Sequence, residues 1–155
     1  MMTKYRLLNN EELASFEDEF VKYLVVNGIS ADDWKAMLEK APEDAQKIVD
    51  VFSDVVFEKI MRTSKFFRIT RKTYVQAIQC NQDKMIMVAI STKDESLDLT
   101  TIDWSSITDY SPFHIHKAEK QYEMPREEEM FKLTELGYSI DDGTLFKAMI
   151  LLTVD

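Results

Sequence analysis

The only two histidines of the chain, His114 and His116, stand two residues apart. On a β-strand that spacing projects both imidazoles from one face. Two imidazoles on one face begin a metal site but do not complete it, and Asp103 or Asp109 would have to supply a third ligand for a metal-dependent, hydrolase-like enzyme. No H-E-x-x-H helix or cysteine cluster accompanies them, and an edge-strand pair without a metal accounts for the same spacing. A second constellation is basic. Lys59, Arg62, Lys65, Arg68, Arg71 and Lys72 lie beside Phe66, Phe67 and Tyr74, the mixture of cations and rings that grips phosphates and stacks on the bases of single-stranded RNA or another polyanion. The competing account is electrostatic housekeeping: cations near the C-terminal end of a helix meet its negative pole, and the others solvate or pair with an acidic body. A spacing of three makes a stripe only on a helix; where the chain turns extended, near Ser64, it alternates faces.

Other residues carry less chemistry. Cys80 is the single cysteine and ends an apolar run, the setting of a small buried residue rather than of an activated nucleophile. Gly28, Gly137 and Gly143 are isolated, so no glycine-rich phosphate loop exists, and each falls where a turn or a helix end explains it. Asp141-Asp142-Gly143 lacks the alternating ligands and distal glutamate of a calcium loop and reads as a helix cap. Glu127, Glu128 and Glu129 are neighbours on one helical turn and point in different directions, as a solvated first turn does. The nine methionines and nine phenylalanines fall mostly on apolar stripes and read as core. No catalytic residue, metal or cofactor is implied by any of these.

The elements that would position these residues follow from periodicity. Asn9 or Asn10 caps a helix with Glu11 and Glu12 in its first turn and Leu13, Phe16, Phe20 and Leu24 along its stripe. Asn27-Gly28 stops it; Ser30 with Asp33 caps a short second helix through Trp34, Met37 and Leu38. Pro42 opens a long third helix with Ala45, Ile48, Val49, Phe52, Val55, Val56 and Ile60 inward. Phe67 to Ile78 and Met85 to Ile90, rich in β-branched and aromatic residues and separated by Asn81-Gln82-Asp83, predict an antiparallel hairpin whose second strand is covered on both faces. Ser91 to Ser106 is polar and holds four carboxylates, Asp94, Glu95, Asp98 and Asp103. That stretch reads as loop, with Leu97, Leu99 and Ile102 adding a short extended piece. Pro112 before Phe113-His114-Ile115-His116 predicts an edge strand. Pro125 to Leu136 and a segment from Asp141 or Asp142 through Leu152 predict two closing helices. The expected class is α+β: an N-terminal three-helix segment, a small central antiparallel sheet and a C-terminal helix pair, in one globular domain over residues 1–155.

Composition narrows the function classes. With 155 residues, 45% of them hydrophobic, the chain is long enough to bury a core without disulfide or metal. The longest uninterrupted apolar run, Met85 to Ile90, is far below the ~20 residues of a membrane span. The start turns polar after Leu7-Leu8 and shows no apolar signal-peptide stretch, and a lone cysteine suits a reducing compartment, so a cytoplasmic location and no membrane partner are expected. The net charge is −9, which disfavours nucleic acid at long range. Charge is nevertheless segregated: Lys59 to Gln82 holds six cations and no carboxylate.

Five stretches resemble a family of short acidic bacterial cytoplasmic proteins without an assigned function. They are Lys4-Tyr5-Arg6, Ile29-Ser30-Ala31-Asp32-Asp33-Trp34, Val51-Phe52-Ser53-Asp54-Val55-Val56-Phe57-Glu58, Pro125-Arg126-Glu127-Glu128-Glu129 and Asp142-Gly143-Thr144-Leu145-Phe146-Lys147. The resemblance implies a domain of unknown function and assigns no residue a role. Without a catalytic constellation, the expected function is a non-enzymatic protein-interaction module. Its contact would be the acidic helical surface together with the basic segment 59–72, with polyanion binding by that segment and a His114/His116 metal site as alternatives. Partner identity and oligomeric state are open at this level.

Overall fold

A computed structural model describes residues 4–154. The chain forms two compact units, Met1–Ile60 and Met61–Asp155. The first is helical: α1 (Asn10–Ser15), α2 (Glu17–Val26), α3 (Ala31–Lys40) and most of α4 (Pro42–Thr63). Both expected capping boxes are present. Asn9 accepts from the Glu12 N–H while the Glu12 carboxylate accepts from the Asn9 N–H, and Ser30 and Asp33 do the same for α3. The single first helix expected from the sequence is divided at Phe16. There the Ser15 hydroxyl bonds back to the Glu12 carbonyl at 2.7 Å, and Glu17, Asp18 and Glu19 then favour a fresh helix N-terminus. Phe20 of α2 stacks edge-on against Trp34 of α3 and tilts against Phe52 of α4, with ring centroids 5.2 and 4.9 Å apart, which fixes the three helices around one aromatic cluster.

The second unit is built on a five-stranded antiparallel sheet in the order β4-β3-β2-β1-β5. Its strands are β1 (Phe66–Arg71), β2 (Tyr74–Cys80), β3 (Lys84–Ser91), β4 (His114–Gln121) and β5 (Ser139–Asp141). The first apolar run is thus itself a hairpin, turning at Lys72-Thr73, so the expected two-stranded piece has three strands. β4 is an edge strand, as Pro112 suggested. Leu99–Thr101 is a 3-10 turn rather than an extended piece, capped by the Asp98 side chain. Helices α5 (Arg126–Glu135) and α6 (Thr144–Leu151) follow, and the class is α+β.

Register assigns each side chain to a face. One face carries Phe66, Val75, Ala77, Val88, Ile90 and Ile115. It is closed by α6 through Phe146 and Met149 and by the loop residues Leu99 and Trp104. The other face has four rows: Lys120-Met85-Cys80, Ala118-Met87-Ile78-Phe67-Ile140, His116-Ala89-Gln76-Ile69 and His114-Ser91-Tyr74-Arg71. Helix α5 closes the first end of this face, where Lys120 Nζ meets Glu129 Oε1 at 3.0 Å. Cys80, Met85, Ile78 and Phe67 are buried there, whereas Tyr74, Arg71, His114 and His116 at the opposite end are exposed.

Candidate functional site

Among the described residues, the exposed end of that face brings sequence-predicted residues of separate strands together. Its two rows, Arg71-Tyr74-Ser91-His114 and Ile69-Gln76-Ala89-His116, contain no carboxylate. Gln76 Oε1 accepts from the Tyr74 hydroxyl at 3.0 Å and from the Tyr138 hydroxyl in a short bond, while its amide donates to Met87 Sδ at 3.5 Å. Burial pushes both phenols above their ordinary pKa, so they stay protonated donors and hold Gln76 in one orientation. The His114 and His116 rings are stacked, with centroids 6.4 Å apart and planes 9° from parallel.

Each end of the outer row opens into a hollow. At one end, Arg68, Ile69, Thr70, Arg71, Gly137 and Ser139 line about 170 Å³. β5 pairs only with Phe66, Phe67 and Arg68, which leaves the rest of β1 open on that side. An Arg71 guanidinium nitrogen lies 3.8 Å from where a side chain on Gly137 would begin. Arg68 meets Asp141 at 3.5 Å and remains 40% exposed. At the other end, Ser91, Thr92, Lys93, Ser111, Pro112, Phe113 and His114 surround a wider hollow of about 590 Å³. Asp94 and Asp109 near it are turned onto their own loops, accepting from Ser96 and Ser111. Three strand spacings separate Arg71 from His114, roughly 14 Å.

The basic segment is not one patch. Lys59 lies in the first unit and Arg62 in the second, both exposed on α4. Lys65 follows the helix, and its carbonyl accepts the Cys80 N–H at 2.7 Å. Arg68 and Arg71 sit on opposite faces of β1, and Lys72 is in the β1–β2 turn, where its charge adds to the Thr100 hydrogen bonds that hold the Asp98 carboxyl below its ordinary range. A three-residue period cannot make a stripe on extended chain, so the six cations do not form one row; Arg68 and Arg71, though on opposite faces, both line the first hollow.

The histidine pair does share a face, but no group of three histidine, cysteine or carboxylate side chains that could hold a metal occurs among the described residues. Asp103 accepts from Ser105 and Asp109 from Ser111, each within its own turn. Cys80 is buried, and that burial pushes its thiol up to about 12, against the opposing pull of Arg126 and Tyr122. A thiol so protonated is a poor nucleophile.

The solvated first turn expected at Glu127, Glu128 and Glu129 does not hold for Glu129, which is buried against Lys120, and sequence reasoning missed Arg126 in that turn. It is buried, donating to the carbonyls of Ser64 at 2.9 Å, Cys80 at 3.0 Å and Asn81 at 3.1 Å. The Tyr122 hydroxyl also donates to Asn81 O, at 2.6 Å. Arg126 thereby ties α5 to the ends of two strands. The N-terminal motifs act similarly within the first unit. The N–H groups of Lys4 and Tyr5 donate to the two Asp54 oxygens at 2.8 and 3.1 Å, the Tyr5 hydroxyl donates to Glu58, and the Leu8 N–H donates to Ser53 Oγ at 3.1 Å.

Fold and site together define an α+β chain whose sheet has one open end with two carboxylate-free rows. The chain belongs to a family of unknown function (DUF6495), whose model matches residues 1–153. No curated protein and no solved structure matches it. No helix among the described residues is long and apolar enough to cross a membrane.

Proposed function

We propose that the domain is a non-enzymatic protein-interaction module that binds an extended acidic segment of a partner along the Arg71-Tyr74-Ser91-His114 row. One observation carries this: in a chain of net charge −9, the exposed rows lack carboxylates and run between a hollow flanked by Arg68 and Arg71 and one containing Lys93. A span of roughly 14 Å matches four or five extended residues, and guanidinium groups suit carboxylates because they bind them with two parallel hydrogen bonds. The rigid Tyr74-Gln76-Tyr138 group supplies an ordered floor, and rigidity lowers the entropic cost of binding. The single, buried cysteine favours a reducing compartment, and the reading places the contact in the cytoplasm.

The test is a heteronuclear NMR titration with a glutamate-rich decapeptide and, separately, with oligouridylate. Shifts induced by the peptide at Arg71, Tyr74, Ala89 and His114 support the reading. Shifts at those residues induced by the RNA and not by the peptide replace it with polyanion binding, and no localised shift with either refutes both.

A further inference from the structure

One edge of the sheet is β4, which spans eight residues, His114–Gln121, and is the longer of the two. Which of its backbone groups face outward follows from the ladder. Thr92 N donates to Thr73 O at 3.1 Å and Asn81 N to Lys84 O at 2.9 Å, so the even-numbered residues of β3 bond toward β2. Antiparallel ladders alternate, so the odd-numbered residues of β3 bond toward β4 and engage His114, His116, Ala118 and Lys120. The N–H and C=O groups of Ile115, Lys117, Glu119 and Gln121 therefore point to the open edge, and no other bond to them occurs among the described residues.

We infer that this edge pairs with the same edge of a second copy, in antiparallel register about a two-fold axis at Ala118. The parity of the ladder demands that outward residues face outward residues, so the axis must pass through a residue and not between two. An axis at Lys117 opposes two ammonium groups, and one at Glu119 opposes two carboxylates. The axis at Ala118 instead sets Lys117 against Glu119 twice, as hydrogen-bonded pairs of opposite charge. It also places the smallest side chain of the strand in the close, non-hydrogen-bonded position on the axis. Such an isologous contact closes on itself and leaves no further β4 edge for a third copy. It would join two sheets into one of ten strands, with both His114/His116 pairs on one continuous face. The partner here is a second copy of the chain, distinct from the acidic segment proposed above.

Sedimentation equilibrium on the full chain, with circular dichroism to verify folding, tests it. The wild type is expected to sediment as a dimer. Lys117→Glu places carboxylates against Glu119 in both pairs and should weaken the dimer by about tenfold or more. Lys117→Pro removes an outward N–H, a substitution an edge strand tolerates, and should do the same without disturbing the β3–β4 ladder. Lys117→Glu with Glu119→Lys should restore association. A wild type that is monomeric throughout, or a dimer indifferent to both Lys117 substitutions, overturns the inference.

Discussion

At the residue scale, two buried groups in the second unit make opposite demands. Arg126 is charged and buried, and its charge is tolerated because three strand-end carbonyls and Glu127 receive its N–H groups. Arg126→Ala leaves those acceptors without a donor and should cost about 3–5 kcal/mol in urea unfolding. Arg126→Lys should recover only a small part, since one ammonium cannot span the fork. Cys80 needs the reverse condition, remaining neutral. Its folded pKa is raised to about 12 by burial, so its contribution to stability is present below the ordinary thiol range of about 8.5 and is lost as pH rises toward 12. The wild type should therefore lose stability between those limits more steeply than Cys80→Ala, measured by the urea midpoint against pH. Equal slopes would remove the thiol as the cause.

At the element scale, the turn before α6 depends on Gly143, whose φ is +96°. A Cβ there would stand 2.6 Å from the Phe66 ring, whereas at Gly28, with φ +74°, nothing lies within 4 Å. Both Gly→Ala variants pay the backbone strain of about 1–2 kcal/mol, and only Gly143→Ala adds a clash. Its melting temperature should fall clearly further than that of Gly28→Ala. The starts of α1 and α3 were legible in the sequence because caps are local: Asn9 with Glu12 and Ser30 with Asp33 each act across three residues, whereas the N-cap of α6 is Gly143, past the Asp141 or Asp142 expected there. Pro112 likewise marked the β4 edge. The turn at Lys72-Thr73 was not legible, having neither glycine nor asparagine, and β5 is only three residues long. Arg126 escaped for a different reason, since its acceptors Ser64, Cys80 and Asn81 lie at least 45 residues away. The row proposed for binding draws one residue from each of four strands, and only the register reveals it.

At the scale of the whole molecule, a −9 chain binding an acidic segment looks contradictory until distance is considered. Repulsion from carboxylates beyond about 8 Å is screened at physiological salt, whereas a guanidinium–carboxylate contact within the row is far less so. In the proposed contact, partner choice rests on the local absence of carboxylates from the rows rather than on the sum. Ser30→Ala, which removes the α3 cap and should cost about 1 kcal/mol, should leave peptide affinity unchanged, because stability and recognition rest on different residues. The stretches that carried the resemblance in the sequence divide the same way. Asp54, Glu58 and Arg126 hold the fold, and none lies in the proposed row. The measurement that tests the central claim most directly is the affinity of one glutamate-rich decapeptide for the wild type and for Arg71→Glu, by calorimetry at matched salt. Loss of a charged contact and its replacement by a repelling one should weaken binding by about tenfold or more. Equal affinity for the two proteins, both folded, would contradict recognition on this face.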